Sequence, residues 1–264
     1  MDLSVVIPVK NEVENIAPLI IEVCAALDGV IAFEILYVDD GSNDGTASEI
    51  LRLAAQTPTL RLVRHAQSCG QSAAIRTGVK TARAPWIATI DGDGQNDPAD
   101  IPMLWRLCRA VSVNQPLLVI GCRERRSDSW SKRSASWIAN IIRGNILADH
   151  TPDAGCGLKL FPRSLFLALP YFDHMHRFLP ALVLREGGLV RSVPVNDRPR
   201  RAGTSKYGVL DRFGVGITDL FGVMWLQRRT TRPRVLYEVV LDAGSSASPS
   251  PLAITMPQCE HKNE

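Results

Sequence analysis

The sequence predicts an α/β protein built on a mostly parallel, Rossmann-like sheet flanked by helices. Two observations carry this. Short runs rich in Val, Ile and Leu alternate with amphipathic stretches through the first half of the chain, the pattern of repeated βαβ units. The unusual polar clusters of that half (Lys10-Asn11-Glu12, Asp39-Asp40, His65 and Asp91 to Gln95) each follow directly on an apolar run. Ligands of such sheets gather beyond the carboxyl ends of the strands.

Taken in order, strands read at 3–9, 34–40, 60–65, 86–91 and 117–123, with helices near 13–28, 45–56, 71–83 and 99–111. Asn11 with Glu14, and Thr46 with Glu49, have capping-box spacing. Asp97 before Pro98 reads as an N-cap followed by a first helical residue. The second half is less regular: a helix over 130–148, the stretch "DAGCGLKLFP", a short helix from Arg163, a helix over 176–187 and a strand "LVRSVPV". A basic loop, "NDRPRRAGTSKYG", follows. Leu210, Phe213, Ile217, Leu220, Phe221 and Met224 then recur at helical spacing. Beyond Leu241 the chain is rich in Ser, Pro and Ala and reads as a disordered tail. The expected organisation is a catalytic domain over 1–206, an amphipathic, membrane-associating helix and basic segment over 207–236, and the tail over 241–264.

With 264 residues, 45% of them hydrophobic and 22% charged, the chain has the composition of a globular protein, and a net charge of +3 is too mild for a nucleic-acid binder. Cysteines 24, 69, 108, 122, 156 and 259 are scattered without a C-x-x-C pair, which fits thiols in a reducing cytosol rather than disulfides or a zinc site. The opening "MDLSVVIPVKNE" runs straight into a strand and does not read as a signal peptide. No run of about 18 apolar residues is uninterrupted; "VLDRFGVGITDLFGVMWL" is broken by Asp211, Arg212 and Asp219. Any membrane role is therefore expected to be peripheral, at the cytoplasmic face.

The stretch "TIDGDGQNDPADIP" (89–102) sets the central question. Asp91 and Asp93 fall between a strand end and a helix cap, and two carboxylates so close repel unless a cation sits between them. A calcium loop fails, because the position for its bidentate Glu holds Leu51 or Pro102, counting from Asp40 or Asp91. Mg2+ or Mn2+, which completes its shell with phosphate oxygens and water, fits better. After the first strand "PVKNEVEN" offers no glycine-rich phosphate loop. Phosphate is then left to the metal and to basic side chains, the candidates being Arg123, Arg133, Arg200, Arg201 and Lys206.

Seven blocks in order, "VVIPVKNE", "VDDGSNDGT", "RHAQSCGQSAAIRTG", "IDGDGQNDP", "VIGCRERR", "DAGCGLKLFPR" and "RRAGTSKYG", together resemble the family 2, GT-A-fold glycosyltransferases. The nearest subgroup is that of the dolichyl-phosphate mannose synthases and their bacterial polyprenyl-phosphate relatives. The likeness runs from about residue 3 to about 236. It implies that Pro8, Lys10 and Glu12 line a nucleotide pocket, that Asp40 with Val38 holds the base, and that Asp39 supports it. It makes Asp91-Gly92-Asp93 the D-x-D, with Asp93 on the metal, Asp91 on the ribose or sugar side, and Gln95 a further metal or phosphate contact. Arg123, with Arg133 and Ser136, is implied for the acceptor phosphate, and Arg200 with Lys206 for closure over the diphosphate. The implied partners are a nucleotide-sugar donor, a polyprenyl phosphate and a membrane surface, met directly or through an integral-membrane partner. Two departures stand out: His65 replaces a common Asn, and no pair of C-terminal membrane helices is present.

A lipid phosphate is already anionic at neutral pH, so its attack needs positioning rather than a general base. His174 and His176 are candidate bases, although a surface or helix-start role suits them better. The rival readings are a transferase acting on a hydroxyl, a nucleotidyltransferase, whose glycine-rich start is missing, and a non-catalytic membrane adaptor.

Overall fold

The computed structural model describes residues 1–110, 115–123, 143–201, 209–229 and 231, with the side chains of 209–215 left aside. The chain divides into two compact units, Met1–Arg229 and Thr230–Glu264, and the described fold lies in the first. Arg133, Ser136, Lys206, most of the helix expected over 130–148 and the tail fall outside the described residues.

Seven strands form one sheet in the order β3-β2-β1-β4-β6-β5-β7. They are β1 (Leu3–Val9), β2 (Phe33–Asp39), β3 (Leu60–Arg64), β4 (Trp86–Thr89), β5 (Leu117–Arg123), β6 (Lys159–Pro162) and β7 (Leu189–Val195). The helices are α1 (Val13–Leu27), α2 (Thr46–Ala54), α3 (Gln71–Thr81), α4 (Ile101–Ala110), α5 (Arg163–Ala168), α6 (Leu179–Arg185) and α7 (Val209–Arg228). β1 pairs in parallel with β2 and β4, β2 with β3, and β5 with β7. The exception is β6, which lies antiparallel between β4 and β5. "KLFP" is too short to stand out from its surroundings, and pairing with two neighbours, not local propensity, makes it a strand.

Strand alternation sorts the core into two faces. Leu3, Val5, Ile7 and Val9 of β1 join Ile16, Leu19 and Val23 of α1, Ile50 of α2 and Leu104 of α4. Val6 turns the other way, toward Ala74, Ile75 and Val79 of α3, Phe166 of α5 and Leu182 of α6. Helices thus cover both sides, which is why these strands are apolar almost throughout. Helix α7 meets the second face through Val223, with Leu220, Met224 and Leu226 packed alongside, while Ile217, Phe221 and Trp225 are 53%, 59% and 58% exposed.

Both expected capping boxes are absent. Helix α1 starts from Glu12 without a side-chain cap, and Asn11, at φ 52°, accepts instead from the Asn43 amide. Thr46 lies inside α2, held by Asp44, and Glu49 pairs with Arg52. Asp97 does cap its helical turn, accepting from the Ala99 amide at 3.0 Å. Glu34, buried on β2, is met by Ser4 Oγ (2.6 Å), the Arg83 amide (2.7 Å) and Arg61 (2.5 Å). Burial works to raise its carboxyl, but those bonds outweigh it and hold the group below its ordinary range.

Candidate active site

The chain moves outward from β1 through β2 to β3 and then crosses back to β4, so loops from both sides of β1 converge on one sheet edge. Main-chain bonds fix them: the Asp40 amide donates to Val9, His65 to Asp39, and Ile90 to Val6.

On the β2–β3 side, Asp40 organises the loop at 65–70. Its carboxylate accepts from the amides of Cys69 (2.8 Å) and Gly70 (2.9 Å) and from Ser68 Oγ (2.8 Å), and meets His65 Nδ1 at 2.8 Å. Burial opposes ionisation, yet these bonds keep the carboxyl below the usual range. His65, the residue in place of Asn, also reaches Thr77 through Nε2 at 2.9 Å. Asp40, His65 and Cys69 are close enough together to suggest a metal site among the described residues, but their hydrogen bonds already engage the Asp40 and His65 atoms. Fully buried Asp39 accepts from the Ser42 amide at 2.9 Å. Its second oxygen lies 3.0 Å from Arg64 Nε without an aligned hydrogen bond. Pro8 and Val38 are register partners on β1 and β2, and Lys10 is half-buried just past the strand end.

On the β4 side, Asp91 and Asp93 stand on the loop as the sequence suggested. Part of Asp91 remains accessible, but its carboxyl is enclosed, and burial together with the Asp93 charge pushes it up to about 6. Gln71 Nε2 donates to Asp91 Oδ1 at 2.9 Å, and the Asp91 amide donates to Asn96 Oδ1 at 3.0 Å. Gly92 sits so near β1 that a Cβ there would come within 2.4 Å of Val9 Cγ1. Asp93 Oδ1 accepts from the Gln95 amide at 3.0 Å. Arg200 bridges two acids, with Asp93 Oδ2 at 2.7 Å and Glu12 Oε1 at 3.8 Å. A guanidinium therefore stands between these two carboxylates.

The loop after β7 is stitched onto this one. The Arg198 amide donates to the Gln95 carbonyl (3.0 Å) and its guanidinium to the Asn96 carbonyl (2.9 Å) and Glu22 (2.8 Å). Arg201 also pairs with Glu22, so of the run "RPRR" it is Arg200 that reaches Asp93. Arg123, at the end of β5, is bound to Asp153 through Nε (2.7 Å) and Nη2 (2.9 Å). Burial opposes its charge, and Asp153 more than compensates, keeping it cationic.

The structure adds residues that the sequence reading missed. Buried Lys159 on β6 donates to the Cys156 carbonyl, and burial lowers its pKa despite the Asp91 charge nearby. Gln71 and Asn96 brace Asp91, and Gly157 leaves space for it, since a Cβ there would fall 2.2 Å from Asp91 Oδ2. A lysine flanked by apolar residues in "GLKLF" was the available signal for Lys159. Gln71, Asn96 and Gly157 gave none, because their roles arise only from contacts between distant segments.

A mixed sheet with the D-x-D loop beyond the end of β4 and an arginine facing it defines a GT-A glycosyltransferase. The sequence matches glycosyl transferase family 2 over residues 4–169, more than half the chain, and the protein belongs to that family. It is similar to the dodecaprenyl-phosphate galacturonate synthase of Rhizobium johnstonii, 36% identical over 241 residues, which cover 88% of this chain and 69% of that protein. It is also similar to the undecaprenyl-phosphate 4-deoxy-4-formamido-L-arabinose transferase of Edwardsiella ictaluri, 35% identical over 212 residues, which cover 79% of this chain and 63% of that one. Among solved structures, mannosyl-3-phosphoglycerate synthase from Rubrobacter xylanophilus superposes with a TM-score of 0.67 at 18% identity, covering 89% of this chain and 77% of its own. Glucosyl-3-phosphoglycerate synthase from Mycobacterium tuberculosis, in complex with Mn2+, UDP-glucose and phosphoglyceric acid, gives 0.64 at 17% identity, covering 96% and 88%. These structures share the fold.

Proposed function

We propose that this glycosyltransferase moves a sugar from a nucleotide-diphosphate sugar, GDP-mannose or a UDP-sugar, to a polyprenyl (dolichyl or undecaprenyl) phosphate with inversion. The observation that carries the reading is the Asp91/Asp93/Gln95 loop facing Arg200, in a chain whose relatives are named for polyprenyl-phosphate sugar transfer.

The acids fit a divalent cation: burial and then the Asp93 charge raise the Asp91 pKa, and a cationic side chain already rests on Asp93. Asp91, Asp93 and Gln95 would hold Mg2+ or Mn2+, which when bound offsets the charge of the leaving diphosphate. Arg200, with Lys206, would close over the diphosphate and offset its charge. Pro8, Lys10, Glu12, Val38 and the Asp39–Asp40 pair border the nucleotide. The four bonds on Asp40 favour a role in shaping the 65–70 loop, and Asp39, ion-paired with Arg64, supports it. Arg123, held rigid by Asp153, meets the acceptor phosphate together with Arg133 and Ser136. The phosphate oxygen attacks the anomeric carbon as the diphosphate departs, and no side chain needs to take a proton.

Ile217, Phe221 and Trp225 recur every fourth residue on the outer face of α7, and Arg228 and Arg229 follow. This stripe suits the boundary of an anionic cytoplasmic leaflet, with the arginines toward headgroups. None of the described helices is long and apolar enough to cross a membrane.

The deciding experiment incubates the protein with several radiolabelled nucleotide-sugars and undecaprenyl phosphate in anionic vesicles. Label entering the organic phase, and lost on chelation, is the expected result. Transfer to an added hydroxyl acceptor with none to lipid phosphate would overturn the reading.

A further inference from the structure

Three consecutive residues at the start of α3 reach three separate segments. The Gly70 amide is held by Asp40 beyond β2, the Gln71 side chain reaches Asp91 beyond β4, and Ser72 Oγ lies 2.7 Å from His176 Nδ1 on the turn Met175–Arg177. Gly70 itself sits at φ 89° and supplies no side-chain cap. The first turn of α3 is thus positioned by outside partners, and the angle at which Gln71 meets Asp91 depends on them.

The His176 end of this clamp has a defined chemistry. The His176 amide donates to Ser72 Oγ at 3.3 Å, so the serine oxygen is already an acceptor. Its own proton has one acceptor among the described residues, His176 Nδ1. The tautomer that accepts this proton is the neutral imidazole with its own proton on Nε2. The surroundings agree: burial, with Lys159, Arg177 and His174 nearby, drives its pKa well below the ordinary histidine value. A neutral Nδ1 satisfies both groups, whereas a protonated one would leave the Ser72 proton without an acceptor among the described residues.

We infer that His176 is a positioning residue for the donor site: through Ser72 it fixes the first turn of α3 so that Gln71 orients the Asp91 carboxylate. This rests on the reading of Asp91 given under Proposed function. It also gives His176 a role other than that of a base, which lipid phosphate does not need.

The test compares His176→Leu, His176→Asn, Ser72→Ala, the Ser72→Ala/His176→Leu double variant and Asp91→Asn in the lipid-phosphate transfer assay, with thermal melts of each. His176→Leu and Ser72→Ala should each lower kcat about tenfold or more while donor KM moves little, because the loss falls on orientation at the reacting centre. Asparagine places an acceptor oxygen near the Nδ1 position, so His176→Asn should restore most of the turnover. The double variant should be no worse than the worse single one, because both remove the same contact. Additive losses, an Asn variant as poor as Leu, or wild-type kcat in Ser72→Ala would each overturn the inference. Should His176→Leu fail to fold, the small deletion in Ser72→Ala decides the matter alone. Full turnover in Asp91→Asn would instead bring down the site assignment itself. Loss there with wild-type Ser72→Ala would refute only the clamp.

Discussion

A methyl group added at Gly157 would land 2.2 Å from Asp91 Oδ2, 2.4 Å from its Cγ and 2.6 Å from Asn96 Oδ1. Ordinary contact requires about 1 Å more. The backbone at Gly157 is not free to retreat, because Thr89 Oγ1 holds its carbonyl at 2.8 Å and Lys159 begins β6 two residues on. The displacement therefore falls on Asp91 and Asn96, the residue that anchors the Asp91 amide. A shift of about 1 Å in a positioning group costs on the order of 100-fold in rate, whereas overpacking of this size costs roughly 1–3 kcal/mol of stability. Gly157→Ala should thus lose about two orders of magnitude in kcat while remaining folded at room temperature. Gly155→Ala is the control in the same loop, since its Cβ would meet nothing closer than 3.7 Å. Transfer to lipid phosphate, measured beside circular-dichroism melts, reads both quantities. Wild-type kcat in Gly157→Ala would refute the claim that Asp91 must occupy its observed position.

The raised Asp91 pKa sets a competition between proton and cation. With a value of about 6, roughly nine-tenths of this carboxyl is protonated at pH 5, so Mn2+ affinity should fall about tenfold between pH 7 and pH 5 by calorimetry. Equal affinity at the two pH values would remove Asp91 from the ligand set. The same shift means that the folded, metal-free protein takes up this proton more readily than the unfolded chain, so its contribution to stability falls as pH rises from about 4 to about 6. Glu34 has the opposite sign: its depressed pKa contributes stability that is present at neutral pH and lost as pH falls through the folded value. Ser4→Ala, which removes one of its donors, should therefore cost about 1–3 kcal/mol in urea at pH 7 and less at pH 3. The hydroxyl of fully buried Tyr37 has no hydrogen-bond partner among the described residues, so Tyr37→Phe should be neutral or raise stability by up to about 1 kcal/mol. A clear loss in the urea midpoint would show that the hydroxyl is satisfied after all. Replacing both Phe221 and Trp225 by Ser should weaken co-sedimentation with anionic vesicles while leaving the melting temperature within a few degrees, because both side chains are exposed. Undiminished binding would remove α7 from the membrane reading.

Much of this protein was readable in its linear order, and the reason is locality. β1 and β5 have the expected limits because strands covered on both faces demand continuous apolar runs, which a sequence displays openly, and the largely exposed edge strand β7 keeps its expected limits as well. The Asp91–Asp93 loop was visible for a similar reason: massed acids at a strand end have no bland explanation. Where an outcome depended on distant partners, sequence was silent or misleading. Thr46–Glu49 had the spacing of a capping box, yet Asp44 and Glu12 claimed the Thr46 hydroxyl. "RPRR" looked like one basic patch, and Glu22 divided it, taking Arg198 and Arg201 and leaving Arg200 to Asp93. The antiparallel entry of β6, and with it the placing of Lys159 and Gly157 against Asp91, was settled by tertiary packing. Hydrogen bonding and close approach act through space, and the interval between Asp91 and Gly157 along the chain carries no trace of their contact.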